Sequence, residues 1–393
     1  MKRYNFDTVI DRHGSGSIKY DDLQATFGST DLIPMWIADM DFAVCPEITD
    51  ALRQRITHPI YGYATPTSSY WQSILQWLDR RHDFKASLHE ITYIPGVVKG
   101  IGFAINYFSR PGDKIIIQPP VYHPFRMVTE GNGRIVLPNP LIKTPTSYRM
   151  DLAGLERLAR EEKPAMMILC NPHNPVGIQW DMETLREVAR IARQNNIIVI
   201  SDEIHGDLML NGRRHIPFLA AGDDAAAVGI MLSAPSKTFN IPGMVSSWCV
   251  IKNPELREPF FGWLQANEFN APTFTATIAT EVAYNSGEQW LDEVLEYISD
   301  NIDYTRRYLA RELPAISMVT PEASFLVWLD CRNLGLEQEQ LVKLFVDRAH
   351  LALNDGSMFG AEGRGYMRLN VACPRSVLTT ALTHLSQALA NNV

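Results

Sequence analysis

The chain has 393 residues, 46% hydrophobic and 20% charged, enough to bury a sizeable core and too long for one comfortable domain. A net charge of −8 without any block of basic residues argues against nucleic-acid binding, and no apolar run is long enough to span a bilayer. The first residues lack the apolar stretch of a signal peptide, and the five cysteines (Cys45, Cys170, Cys249, Cys331, Cys373) form no Cys-x-x-Cys pair, so the expectation is a cytoplasmic protein without disulfides or metal whose thiols act as small hydrophobes.

In chain order, the run Ile91 to Ile94 enters Pro95-Gly96-Val97-Val98-Lys99-Gly100, which opens a helical pattern (Ile101, Ala104, Ile105, Phe108). A glycine turn into a helix N-terminus presents backbone N–H groups and a favourable dipole to an anion. Arg110-Pro111-Gly112 turns into a predicted strand, Asp113 to Gln118, followed by Pro119-Pro120-Val121-Tyr122-His123-Pro124. A second strand is predicted over Ala165 to Cys170, before the loop Asn171-Pro172-His173-Asn174-Pro175-Val176-Gly177. The prolines fix φ and Gly177 permits a tight return, so this loop is rigid enough to hold an amide in place. Asp181 then reads as an N-cap, with Leu185, Val188, Ala189 and Ala192 at helical spacing up to Gln194. A third strand, Ile197 to Ile200, runs into Ser201-Asp202-Glu203-Ile204-His205, and a fourth, Ala227 to Leu232, into Ser233-Ala234-Pro235-Ser236-Lys237. Near-continuous apolar strands alternating with helices imply a mainly parallel sheet covered on both faces. Beyond it, a helix over Gln289 to Leu313, a strand over Ser324 to Asp330, a helix near Glu337 to Arg348, a strand over Tyr366 to Asn370 and a final helix from Ser376 predict a smaller α/β domain. The expected division is 49–285 for the large domain, with 1–48 and 286–393 forming the small one.

In such sheets ligands collect beyond the carboxyl ends of the strands, and Asn171, Asp202 and Lys237 each lie just past one. An Asn-Pro loop, an acidic strand end and a Ser/Lys turn in this order resemble the pyridoxal-phosphate (PLP) enzymes of aspartate-aminotransferase fold. PLP needs an amine for its aldehyde, an anion for its pyridine nitrogen, donors for its phosphate and a stacking partner for its ring. A lysine partly withdrawn from water has a lowered pKa and attacks a carbonyl, which suits Lys237 to the first need. Asp202 suits the second, Gly96, Val97 and Val98 the third, Tyr122 the fourth, and the Asn174 amide suits the cofactor's phenolic oxygen. Singly, each has an ordinary explanation, from a solvated lysine to a proline-rich turn; together they point one way.

A closer likeness rests on Val9-Ile10-Asp11-Arg12-His13-Gly14, Trp36-Ile37-Ala38-Asp39-Met40-Asp41-Phe42, Tyr61-Gly62-Tyr63, Ser236 to Gly243, and Arg368 to Arg375. With these the chain resembles the MalY/PatB-type cystathionine β-lyases, or C–S lyases, of the fold-type-I PLP enzymes (class I/II aminotransferase superfamily). The resemblance implies that Lys237 is the Schiff-base lysine, Asp202 the pyridine partner, Asn174 the phenolic-oxygen partner and Tyr122 the stacked, catalytic aromatic. It implies that Gly96, Val97, Val98, Ser233, Ser236 and Tyr63 serve the phosphate, Tyr63 across a homodimer with shared active sites. His205 stands where aspartate aminotransferase has a tyrosine on the phenolic oxygen. Arg368 matches the arginine of the substrate α-carboxylate, with Asn174 and Asp39 beside it. Two departures reduce the phosphate contacts: Val245 replaces an arginine common eight residues after the lysine, and Ala234 a serine common three before it. The implied reaction is β-elimination of L-cystathionine and related cysteine S-conjugates, with an aminotransferase of the same fold, or a regulatory protein-binding scaffold, as the alternatives.

Overall fold

In a computed structural model the chain is described over residues 3–390. Its centre is a seven-stranded sheet made of β1 (Ile91–Ile94), β2 (Lys114–Ile117), β3 (Ile135–Pro138), β4 (Met166–Cys170), β5 (Ile198–Asp202), β6 (Gly229–Ser233) and β7 (Ser247–Val250), in the order β1-β7-β6-β5-β4-β2-β3. β7 runs antiparallel to both of its neighbours, and every other pairing is parallel.

Alternation along the strands explains why helices cover both faces. Ile115, Ile117, Met166, Ile168, Cys170, Ile200, Ile230 and Leu232 enter one buried cluster together with the helix Val97–Phe108. Ile116, Met167, Leu169, Val199 and Met231 face the opposite cluster, with Trp77 of the helix Ser68–His82 and Leu185 of the helix Met182–Gln194. The last of these starts at the expected cap, with the Asp181 carboxylate accepting the Thr184 N–H at 2.7 Å.

The C-terminal part builds an antiparallel sheet of β8 (Ser317–Met318), β9 (Leu326–Asp330), β10 (Asn354–Asp355) and β11 (Tyr366–Asn370), in the order β8-β9-β11-β10. Between the two sheets in sequence lie the helices Phe274–Ser286 and Glu288–Glu312, and the chain ends on Arg375–Ala390. No helix among the described residues is long and apolar enough to cross a membrane. All five cysteines are free and buried.

Several boundaries move, two of them for a local reason. The strand expected from Ala227 begins at Gly229, because Ala227 and Val228 finish a short helix, Asp223–Val228. A Cβ on Gly229 would lie 2.4 Å from Leu219 and 2.6 Å from the Ala225 carbonyl, so only glycine lets the chain leave that helix directly into β6. The helix expected to Arg348 is α-helical over Gln338–Lys343 and widens to a π-helix over Leu344–Arg348, closed by the Ala349 N–H on the Leu344 carbonyl.

Candidate active site

A cavity of about 300 Å³ opens at one edge of the large sheet, where the carboxyl ends of β1, β4, β5 and β6 meet the start of the antiparallel β7. Gly96, Val97, Val98, Tyr122, Asn174, Asp202, His205, Ser236 and Lys237 all line it. Gly96 has φ +119°, a conformation that favours glycine, and it aims the first turn of the helix Val97–Phe108 at the cavity.

Asp202 ends β5 opposite Cys170 and on the face of Ile200, which drops its carboxylate beneath the cavity. It is 4% exposed, and one N–H, that of Ile204 at 3.1 Å, reaches it. Burial pushes its pKa up to about 7, the Ile204 bond and the Lys237 charge opposing this and Glu203 adding to it. Lys237 sits in the one-turn helix Pro235–Thr238, partly open to the cavity, with Nζ donating to the Ala38 carbonyl at 2.6 Å. Protein around the amine pushes its pKa down to about 8, against the pull of Asp39. The close surround of Nζ matters for the charge, since only the amine ionises. His205 is buried with Nδ1 unpartnered, and burial, helped by Lys237 and Arg368, takes its pKa down to about 3, leaving it neutral.

Asn174 joins this cavity to the second sheet. Its N–H meets the Cys170 sulfur at 3.4 Å, its carbonyl accepts the Tyr122 N–H at 3.1 Å, and its Oδ1 accepts Nη1 of Arg368 at 3.1 Å. Arg368 lies on β11 between Trp328 and Asn354 of the flanking strands. Its other acceptors are neutral too, the Trp36 carbonyl at 3.1 Å and Asn354 Oδ1 at 2.5 Å, with the Phe359 ring 4.9 Å from the guanidinium carbon. Nε is buried and unpartnered, and burial lowers the pKa to about 10. A buried guanidinium served by neutral oxygens keeps an unbalanced charge that an anion could meet.

Four expected residues stand apart from the cavity lining: Arg368, which reaches it through Asn174, and three others. The Ser233 hydroxyl is buried and donates to the Glu203 carbonyl at 3.0 Å, which turns it into the sheet's support. Asp39 aims its carboxylate at Arg12, at 2.6 Å. Tyr63 is fully exposed on the surface. Sequence reasoning missed Lys99, Pro242, Ser246 and Ser247 as lining residues, and above all the Ala38 carbonyl on Lys237. A backbone carbonyl carries no residue signature, although Ala38 lies inside a motif already singled out. A larger cavity of about 600 Å³ is lined by Arg80 and Arg81, paired with Glu288 and Asp292, and by His82, Asp207 and His215, each already held by a buried partner.

The fold and the site together define a fold-type-I PLP enzyme, and the residues present fit that cofactor. A lowered-pKa amine, a buried carboxylate short of donors, an unpartnered imidazole nitrogen and a helix N-terminus all border one cavity. Residues 30–385 match the family model of class I and II aminotransferases, and the chain belongs to that family. More particularly, it is 39% identical to cystathionine beta-lyase PatB of Bacillus subtilis, over 98% of this chain and all of that protein. It is 33% identical to the protein MalY of Escherichia coli, over 98% of this chain and 99% of MalY. The structure of cystalysin from Treponema denticola, which contains pyridoxal 5′-phosphate, superposes with a TM-score of 0.96 at 31% identity, covering 99% of this chain and all of that one.

Proposed function

We propose that the protein is a PLP-dependent carbon–sulfur lyase that eliminates the thiol from Cβ of L-cysteine S-conjugates, cystathionine being the reference substrate. The observation that carries this reading is Arg368, a buried cation among neutral acceptors, joined through Asn174 to the cavity of Lys237 and Asp202. Such an arrangement suits a substrate with one amine and one carboxylate on the same carbon. The likeness to PatB and MalY over nearly the whole chain supports the lyase outcome.

Bound in the cavity, PLP supplies a carbonyl for the substrate amine and an electron sink for the charge left when Cα loses its proton. Asp202 would hold the proton on the ring nitrogen, Asn174 the phenolic oxygen, Tyr122 the ring face, and the N–H groups of Gly96, Val97 and Val98 the phosphate, with Ser236 beside them. Arg368 binds the α-carboxylate as a planar fork. Lys237, kept only weakly basic by its surroundings, takes the Cα proton, while the C–S electron pair leaves with sulfur. Water then hydrolyses the unsaturated amine to pyruvate and ammonia. The division into 49–285 and 1–48 with 286–393, and a homodimer in which Tyr63 reaches the phosphate bound in the other protomer, belong to the same proposal.

The test is to incubate the holoenzyme with cystathionine alone and, separately, with an amino donor and a keto acid. Thiol and pyruvate without any keto acid support the lyase; transamination without thiol release overturns it. Lys237→Ala should lower turnover by about 10²- to 10⁴-fold or more and leave no cofactor attached after borohydride reduction. Full turnover in that variant refutes the site.

A further inference from the structure

We propose that Trp36 to Phe42 is a rigid spacer that sets the separation of Lys237 and Arg368, and that Asn240 and Asn370 are the positioning residues that hold it. The inference rests on the reading above, in which Lys237 works at Cα and Arg368 holds the carboxylate.

Side chains take six carbonyls of this segment. Arg368 Nη2 donates to Trp36 O at 3.1 Å, and Lys237 Nζ to Ala38 O at 2.6 Å. Asn370 Nδ2 donates to both Ile37 O and Asp39 O at 2.7 Å. Asn240 Nδ2 donates to Met40 O at 2.9 Å and Phe42 O at 3.0 Å, while its Oδ1 accepts the Met40 N–H at 2.9 Å. Asn240 lies three residues after Lys237, and Asn370 two after Arg368. Each amide therefore ties the same stretch to the turn or strand that carries one of the two groups. Charges anchor the segment from the far side: Arg12 bridges Asp39 and Asp41, each at 2.6 Å, and Lys19, 1% exposed, meets Asp41 at 2.7 Å.

Irregular backbone held at this many points cannot slide without giving up several buried hydrogen bonds at once. The substrate Cα must lie within reach of the lysine while its carboxylate stays on the arginine. A misplacement of about 1 Å costs about 10²-fold in rate. The spacer supplies that constraint through its carbonyls on Lys237 and Arg368, and the two amides act only by holding the spacer.

Asn240 has φ +57°, so Asn240→Gly keeps the left-handed backbone and removes only the clamp. The holoenzyme is incubated in D2O with L-alanine, which lacks a leaving group at Cβ, and loss of the Cα proton is followed by NMR. Exchange about 10- to 100-fold slower than wild type is expected, with the Kd for PLP little changed. Asn370→Ser should behave alike, and it decides the matter by the same readings if Asn240→Gly does not fold. Exchange within about twofold of wild type overturns the proposal. So does a slow rate that saturating PLP restores, which would make the amides part of cofactor retention alone. A wild-type protein that exchanges no Cα proton refutes the function above, and the spacer with it; a fast wild type beside an equally fast variant refutes the spacer alone.

Discussion

Two kinds of buried carboxylate follow one another at the end of β5. Glu203 accepts the Ser201 hydroxyl and the Phe218 N–H, both at 2.8 Å, and lies 2.7 Å from Nε2 of His215. Asp207 accepts the indole N–H of Trp77 and the Thr238 hydroxyl, both at 2.8 Å, and lies 2.7 Å from Nε2 of His82. Asp202, five positions before Asp207, accepts one N–H. Burial pushes Asp207 upward, yet His82, Trp77 and Thr238 hold it below the ordinary carboxylate range, while Asp202 rises to about 7. The same loop thus holds carboxylates used to build and one kept short of partners. Burial is common to both; the unmet bonding capacity of Asp202 is what marks a functional group. Thr238 follows Lys237 directly, so the satisfied group also braces the lysine turn.

Isosteric substitution separates the two kinds. Asp202→Asn removes the carboxylate proposed to meet the cofactor's ring nitrogen and should lower turnover by about 10²- to 10³-fold. The cofactor-free protein should be no less stable, since a neutral amide is cheaper to bury than a carboxylate with one donor. Asp207→Asn should do the reverse in kind, costing about 3–5 kcal/mol of folding stability by leaving a buried imidazole and two donors ill-served. Urea unfolding of both variants checks this. Equal destabilisation in the two would erase the distinction.

The part of this contrast that lay in the sequence is the part carried by local patterns. Apolar runs ending in Asn-Pro-x-Asn-Pro-x-Gly, Ser-Asp-Glu-Ile-His and Ser-Lys place the three groups at one sheet edge, because strand tips in a parallel sheet share an edge. The edge itself, and the strand Tyr366–Asn370, follow from period and composition. What distinguishes Asp202 from Asp207 does not. Trp77 and His82 come from a helix more than 120 positions away, and no spacing rule links them to Asp207. Arg368 is likewise defined by what surrounds it: its acceptors, Trp36 O, Asn174 and Asn354, lie on three separated segments. Asp39 matched a family motif, and its partner Arg12 lay in another, but pairing between motifs is a property of the folded chain.

The pH dependence of stability sharpens the contrast with a smaller signal. Asp202 keeps its proton in the folded, cofactor-free protein up to about pH 7, whereas an unfolded aspartate loses it near pH 4. Between those values the unfolded state binds fewer protons, so stability should fall as pH rises. Lys237 has the opposite order: folded, it loses its proton near pH 8, and unfolded, near 10.5, so its contribution should rise across that window. His205, neutral in the folded protein down to about pH 3, pulls the other way below about pH 6.5, so the Asp202 contribution is read from the difference between wild type and Asp202→Asn. The thermal midpoint of the wild-type, cofactor-free protein should fall relative to that of Asp202→Asn as pH rises from about 4 to 7 and run parallel to it above. A difference that does not change over that window would assign the shift to another group.

The smallest effect comes from a third use of the same side chain. Asp181 is exposed and caps the helix Met182–Gln194 through the Thr184 N–H, a role set by position in the helix and by nothing in the cavity. Asp181→Ala should cost about 1 kcal/mol, read as a lower urea midpoint at unchanged slope, with turnover and PLP affinity intact. Asp207→Asn should cost several times more, because its donors are buried and cannot turn to water, whereas the amide freed at an exposed cap can. Were the two losses equal, burial would contribute little at Asp207, and the height of Asp202's pKa would need a cause other than the scarcity of donors around it.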